Sequence, residues 1–143
     1  MPTSPLQTCH CFAARQAARH VTRIYDRHLG EVGLTSTQFS ILVLIGSDDD
    51  VTMRILSEAL VMDRTTLLRA LKPLQQQSLV ATYRHAADSR QLVFMLSPAG
   101  SRLVKRALPL WEDAQREFEQ SLGKTETRAL RSRLLEMTRV AAG

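Results

Sequence analysis

Aromatic residues occupy only 5% of the 143 positions, and the chain has six glycines, five prolines and two cysteines. Sparse glycine and proline, without internal repeats or low-complexity tracts, exclude collagen-like and linker-dominated chains. Cys9 and Cys11 lie too close together to staple a fold, which excludes a small disulfide scaffold. No window approaches the ~18 apolar residues of a membrane span, and Met1–Thr8 lacks the basic and apolar regions of a signal peptide. The expectation is a cytoplasmic protein with no membrane partner. There is no Gly-rich phosphate loop, nucleophile elbow or metal-spaced His/Glu motif, and carboxylates do not pair at a candidate cleft. These absences argue against an enzyme and predict neither a metal nor a cofactor.

Leu, Ala, Arg and Gln dominate, a helix-forming composition with little strand material, so the fold class expected is mainly α (α+β). A domain of this size buries roughly 70% of its unfolded surface and holds a core without staples. The net charge of +5 and pI near 9.9 suit an acidic polymer as partner, because clustered Lys and Arg gain affinity by releasing counterions condensed on phosphates.

Helical spacing of Ala14, Ala17, Val21, Ile24 and Leu29 predicts a helix over Cys11–Val32, with Arg15, Arg19, Arg23 and Arg27 four apart on an adjacent face. Gly33 ends it, and Thr35 or Thr37 caps a second helix through Phe39, Leu42 and Ile45 to Gly46. Ser47–Asp50 reads as a solvated turn. Thr52 caps a short helix, Met53–Leu60, with Ile55, Leu56, Ala59 and Leu60 inward. After a tight Val61–Met62 connection, Asp63 caps a helix whose buried stripe is Leu67, Leu68, Leu71 and Leu74; it persists towards Gln77 with a bend or weakening at Pro73. Leu79–Tyr83 and Gln91–Leu96 have strand character and enclose a polar tip, His85–Arg90. Ser97-Pro98 starts a long helix that Pro109 kinks and Gly123 ends, and Thr125 caps a last helix with Leu130, Leu134 and Met137 inward.

Two short helices, a tight turn and a two-stranded wing make a winged helix-turn-helix, in which the second helix enters the major groove of DNA. Its groove-facing side would carry Arg64, Thr65, Thr66, Arg69 and Lys72, with Arg offering a fork to guanine or phosphate and Thr serving phosphate oxygens or a thymine methyl. In the wing, Asp88 is two residues from Arg90 and can orient it towards a narrow minor groove. Residues 63–90 carry Arg64, Arg69, Lys72, Arg84 and Arg90 against Asp63 and Asp88, a local excess of positive charge. The expected division is 1–34 for an N-terminal dimerisation helix, 35–97 for the DNA-binding domain and 98–143 for C-terminal dimerisation helices. Trp111, Phe118, Leu130, Leu134 and Met137 give the terminal helices more apolar surface than a small monomer buries, which predicts a homodimer.

Three stretches resemble the multiple-antibiotic-resistance regulator (MarR) family: Gly33-Leu34-Thr35-Ser36-Thr37-Gln38-Phe39, Leu56–Leu60 with Asp63–Leu67, and the run from Asp88-Ser89-Arg90 to Leu96-Ser97-Pro98-Ala99-Gly100. With the flanking helices, the resemblance covers nearly the whole chain. It implies an obligate homodimer, a pseudo-palindromic double-stranded DNA operator, and repression relieved by a small effector or an oxidant.

Cys11-Phe12-Ala13, with Tyr25 fourteen residues on, is similar to the organic-hydroperoxide sensors of that family (OhrR). That similarity implies a reactive cysteine at Cys11 hydrogen-bonded by tyrosines of the partner chain. The chain departs from the sensors in having Arg15 and Ser36 where two further tyrosines are expected. Arg15, one turn beyond Cys11, can favour its thiolate, and Cys9 is a candidate resolving thiol. The competing input is a small aromatic or anionic effector, for which Arg15, Arg19, His20 and His28 offer polar contacts and Phe39 and Trp111 apolar walls. As a metal site Cys9-His10-Cys11 is poor, because adjacent residues cannot close a tetrahedral shell.

Overall fold

A computed structural model describes the backbone of residues 4–142 and the side chains of residues 4–139. Helix α1 spans His10–Leu29 and starts where Cys9 Sγ accepts the Phe12 N–H at 3.3 Å. It is shorter at its end than the expected Cys11–Val32, because Gly30–Val32 tightens into a 3-10 turn stopped by Gly33 in the left-handed conformation (φ 76°). Helix α2, Ser36–Gly46, opens with a reciprocal capping box between Thr35 and Gln38. Its residues Phe39, Ile41, Leu42 and Ile45 are all buried, so α2 is the central helix around which the others pack.

A strand that the sequence pattern did not reveal follows. β1, Val51–Thr52, pairs antiparallel with β3, Leu92–Leu96, which also pairs with β2, Val80–Arg84. The sheet therefore has three strands in the order β1-β3-β2, not the two expected of a hairpin. Two residues are too few to display a period of two. Because β3 is the central strand, the adjacent Val93 and Phe94 are both buried, while Leu92 is exposed.

Helix α3, Met53–Leu60, is capped by Thr52 and ends at Val61, which takes the left-handed conformation (φ 52°) and makes the tight turn. Only Leu56 is fully buried. Ile55 and Ala59, expected inward, face solvent because Met53, Leu56 and Leu60 define the inner stripe at three- and four-residue spacing. Helix α4, Arg64–Gln76, begins at the Asp63 cap and continues through Pro73, whose missing N–H would have served the carbonyl of Arg69 on the solvent side. Leu67, Leu71 and Leu74 are buried, but Leu68 is 45% exposed, a correction to the expected stripe.

Helix α5, Pro98–Leu122, includes Pro109 and is capped by Ser97, and α6, Lys124–Ala142, completes the described chain. Thr125 lies inside the first turn of α6 and is not its cap. Thr127 instead donates to the Gly123 carbonyl at 2.7 Å. Leu29 of α1 and Leu103 and Ala107 of α5 share one hydrophobic cluster with α2, α3, α4 and the sheet, so the core is continuous across residues 34 and 97.

Candidate nucleic-acid interface

Burying Leu67, Leu71 and Leu74 fixes the rotation of α4 and leaves Arg64, Thr65, Thr66, Arg69 and Lys72 exposed. Leu68 joins that exposed face. Pattern reading assigned it to the core, since a Leu four residues from Lys72 and one from Leu67 fits either side of the helix.

Asp63 Oδ1 accepts the Thr66 N–H at 2.7 Å. Its carboxyl is held below the ordinary aspartate value, first by the hydrogen bonds from the Thr66 backbone and side chain, then by the Thr65 N–H and the charge of Arg69. The cap therefore remains ionised at the positive end of the helix dipole.

The wing tip is closed by its own residues. Asp88 Oδ1 accepts the Arg90 N–H at 3.0 Å and Arg90 Nε at 3.3 Å, while the Gln91 N–H donates to the Asp88 carbonyl at 3.0 Å. Arg90 is aimed but not covered: its side chain is 91% exposed. Arg84 is placed differently from the expectation of a free contact, because its Nη1 donates to the Ser89 carbonyl at 2.7 Å and clasps the loop. The Tyr83 hydroxyl donates to the Asp49 carbonyl at 3.2 Å and fastens the acidic turn to the wing.

Between α3, α4 and the base of the wing lies a groove of about 390 Å³ to which Arg54, Arg64 and Arg90 all contribute. Arg54 escaped the sequence reading because the β1–β3 pairing that brings it there had no sequence signal.

The candidate sensor residues are scattered. His20 and Tyr25 line a second cleft, of about 660 Å³, between α1, α5 and α6. Arg15 and Arg19 are exposed on α1 and do not line it. His28 Nε2 lies 3.1 Å from Glu117, which Arg27 also engages, and together they hold that carboxyl below its ordinary range. Phe39 is buried in the core and the half-buried Trp111 stacks on it with ring centroids 6.4 Å apart, and neither lines that cleft. Cys9 serves as the cap of α1, and Cys11 is exposed on its first turn. Tyr25 lies about 21 Å further along the same helix, at 1.5 Å per residue. Its hydroxyl donates to Gln115, and burial, then the nearby Glu119, raise its pKa against the opposing Arg131. Among the described residues no three His, Cys, Asp or Glu side chains gather as metal ligands, and no single helix is long and apolar enough to cross a membrane.

The family model described as "MarR family" matches residues 32–91. The organic hydroperoxide resistance transcriptional regulator of Bacillus subtilis (strain 168) is 28% identical over 100 residues, covering 70% of this chain and 68% of that protein. The M. tuberculosis transcriptional regulator MosR, solved in complex with DNA, superposes with a TM-score of 0.82 and 34% identity over 94% of this chain and 96% of that one. A probable transcriptional regulator from Pseudomonas aeruginosa superposes with a TM-score of 0.83 and 26% identity, covering 92% and 98% of the two chains. With the family model over its helix-turn-helix and wing, and 34% identity to MosR along nearly its whole length, the chain belongs to the MarR family of transcriptional regulators.

Proposed function

We propose that the chain is a homodimeric repressor that binds a pseudo-palindromic double-stranded DNA operator and is released by a small aromatic or anionic effector. The observation that carries this reading is the exposed Arg64, Thr65, Thr66, Arg69 and Lys72 face of α4 beside an Arg90 oriented by Asp88. Exposed basic and hydroxyl side chains on a helix whose rotation the core fixes are the pattern of a groove-reading helix. The complex of MosR with DNA supports it. Twofold symmetry places two such helices about one helical turn, ~34 Å, apart. The role is binding rather than catalysis.

The test is binding to a duplex selected by the protein from a random pool. Arg69→Ala and Arg90→Ala are each expected to weaken binding about tenfold or more, at the 1–3 kcal/mol typical of a good base or phosphate contact. Unchanged affinity in both, with the fold intact, would overturn the assignment.

One observation favours a second input. Cys11 is exposed on the first turn of α1, and the B. subtilis relative carries hydroperoxide resistance in its name. In the same assay, hydroperoxide should release the wild type but not Cys11→Ser; equal release of both excludes a thiol sensor.

A further inference from the structure

β1 fastens the N-terminus of α3 to the central strand of the wing through the pairs Val51↔Phe94 and Thr52↔Val93. Arg54, two residues after β1, is thereby brought beside Arg90 and Gln91, which lead into β3, and Leu92, its first residue. Arg64, the first residue of α4, completes the lining. The groove thus presents three guanidiniums with the hydroxyl-bearing Thr52 and Ser57, and no carboxylate lines it. Among the described residues neither Arg54 nor Arg64 makes an ion pair, and the one acid paired with a groove residue is Asp88, on Arg90. Like charges gathered around one space repel each other unless an anion sits among them. The start of α3 adds to the field. Thr52 Oγ1 takes the Ile55 N–H at 3.3 Å, and the first amides of a helix have no intrahelical acceptor and form the positive end of its dipole.

We propose that this groove seats one backbone phosphate of bound DNA, held jointly by Arg54, Arg64 and Arg90, and that Arg54 is a positioning residue that locks the wing to the recognition helix through that phosphate. The inference rests on the DNA-binding reading and deepens it by naming a contact made by α3. The ligand chemistry is a phosphate oxyanion, which the planar forks of Arg match in pairs of parallel hydrogen bonds. Because the three cations come from three elements, a phosphate among them fixes the angle between wing and helix. Arg69 and Lys72, further along α4, do not line the groove and are independent of it.

The experiment compares wild type, Arg54→Ala and Arg54→Lys as full-length protein, with folding checked by circular dichroism. Binding to a random-sequence duplex is followed from about 50 to 200 mM salt, where each phosphate contact contributes roughly 0.9 to the slope of log K on log salt. Arg54→Ala is expected to lose about one contact's worth of slope per subunit, two for the dimer, and about tenfold or more in affinity, and Arg54→Lys to keep the slope. On the selected duplex, one neutral methylphosphonate at a single position should weaken wild type about tenfold and Arg54→Ala by clearly less, since only Arg64 and Arg90 then remain on that phosphate. A free-anion arm measures thermal shift with inorganic phosphate against chloride at equal ionic strength. An Arg54-dependent shift without any methylphosphonate position at which Arg54→Ala loses less than wild type assigns the groove to a free anion and overturns the backbone contact. Equal salt slopes for wild type and Arg54→Ala overturn the inference while leaving the DNA-binding reading standing. If wild type shows no salt-dependent duplex binding, both fail.

Discussion

Asp63 stabilises the helix-turn-helix in two separable ways: its oxygen caps α4 and its charge faces the helix dipole and Arg69. Its folded pKa is depressed, so the stabilisation is fully present above the unfolded value and is lost as pH falls through the folded one. Asp63→Asn keeps a capping oxygen without the charge and should lower Tm at neutral pH while flattening the loss of Tm below about pH 4. Asp63→Ala should lower Tm further. A thermal-unfolding series over acid pH checks both, and an unchanged acid limb in Asp63→Asn would remove the electrostatic part. At this scale the sequence was informative where one side chain acts on its own neighbours. The capping roles of Thr35, Thr52, Asp63 and Ser97 and the Asp88–Arg90 pair follow from spacings of two or three residues. It failed for Arg54, whose role depends on a pairing partner some forty residues away.

Between elements, the joint joining the wing to α5 shows how closely the backbone is packed. Ser97 Oγ donates to the Ser78 carbonyl at 2.6 Å and accepts the Gly100 N–H at 3.0 Å, while the Ser97 N–H donates to the Leu79 carbonyl at 3.0 Å. A Cβ on Gly100 would lie 2.2 Å from the Leu79 carbonyl oxygen, a backbone atom with nowhere to go. Alanine gains about 1 kcal/mol of helix propensity over glycine. Overpacking against backbone costs about 1–3 kcal/mol, so the clash should win. Gly100→Ala is expected to destabilise by about 1–2 kcal/mol in urea unfolding. Gly30→Ala, where nothing lies within 4 Å of the added carbon, should be neutral or slightly stabilising. Equal behaviour of the two variants would show that α5 shifts freely against β2. The Ser-Pro start of α5 was legible as a cap, but the use of Gly100 as a contact surface was not, because the obstructing atom lies 21 residues away.

For the whole molecule, one group of exposed apolar residues lies on the end of α5 and along α6: Leu122, Leu130, Leu134, Leu135 and Met137 are between 39% and 66% exposed. The cleft between α1, α5 and α6 has Leu122, Leu130 and Leu134 in its wall. A second copy burying these side chains would recover roughly 25 cal/mol for each Å² of apolar surface covered. Leu130→Glu combined with Leu134→Glu should give a monomer in sedimentation velocity at micromolar concentration, with much weaker operator binding, since one half-site remains per protein. A dimer that persists would place the interface elsewhere. The sequence reading placed Leu130, Leu134 and Met137 inward on the last helix, and within one chain they are exposed instead; what it did detect was their surplus over what a small monomer buries. The same reasoning misplaced Leu68 and Ile55, since periodicity alone does not fix which way a short helix is rotated. What the sequence by itself determined was the helical content, the caps that start α3, α4 and α5, the winged helix-turn-helix order and the basic character of α4, all set by interactions within a few residues. Only the tertiary structure decided that Trp111 stacks on the core residue Phe39, that His28 is committed to Glu117, that Arg84 clasps the wing, and that Arg54, Arg64 and Arg90 share one groove. Each of those depends on which distant segments the buried faces of α2 and β3 bring into register, and no local spacing encodes that.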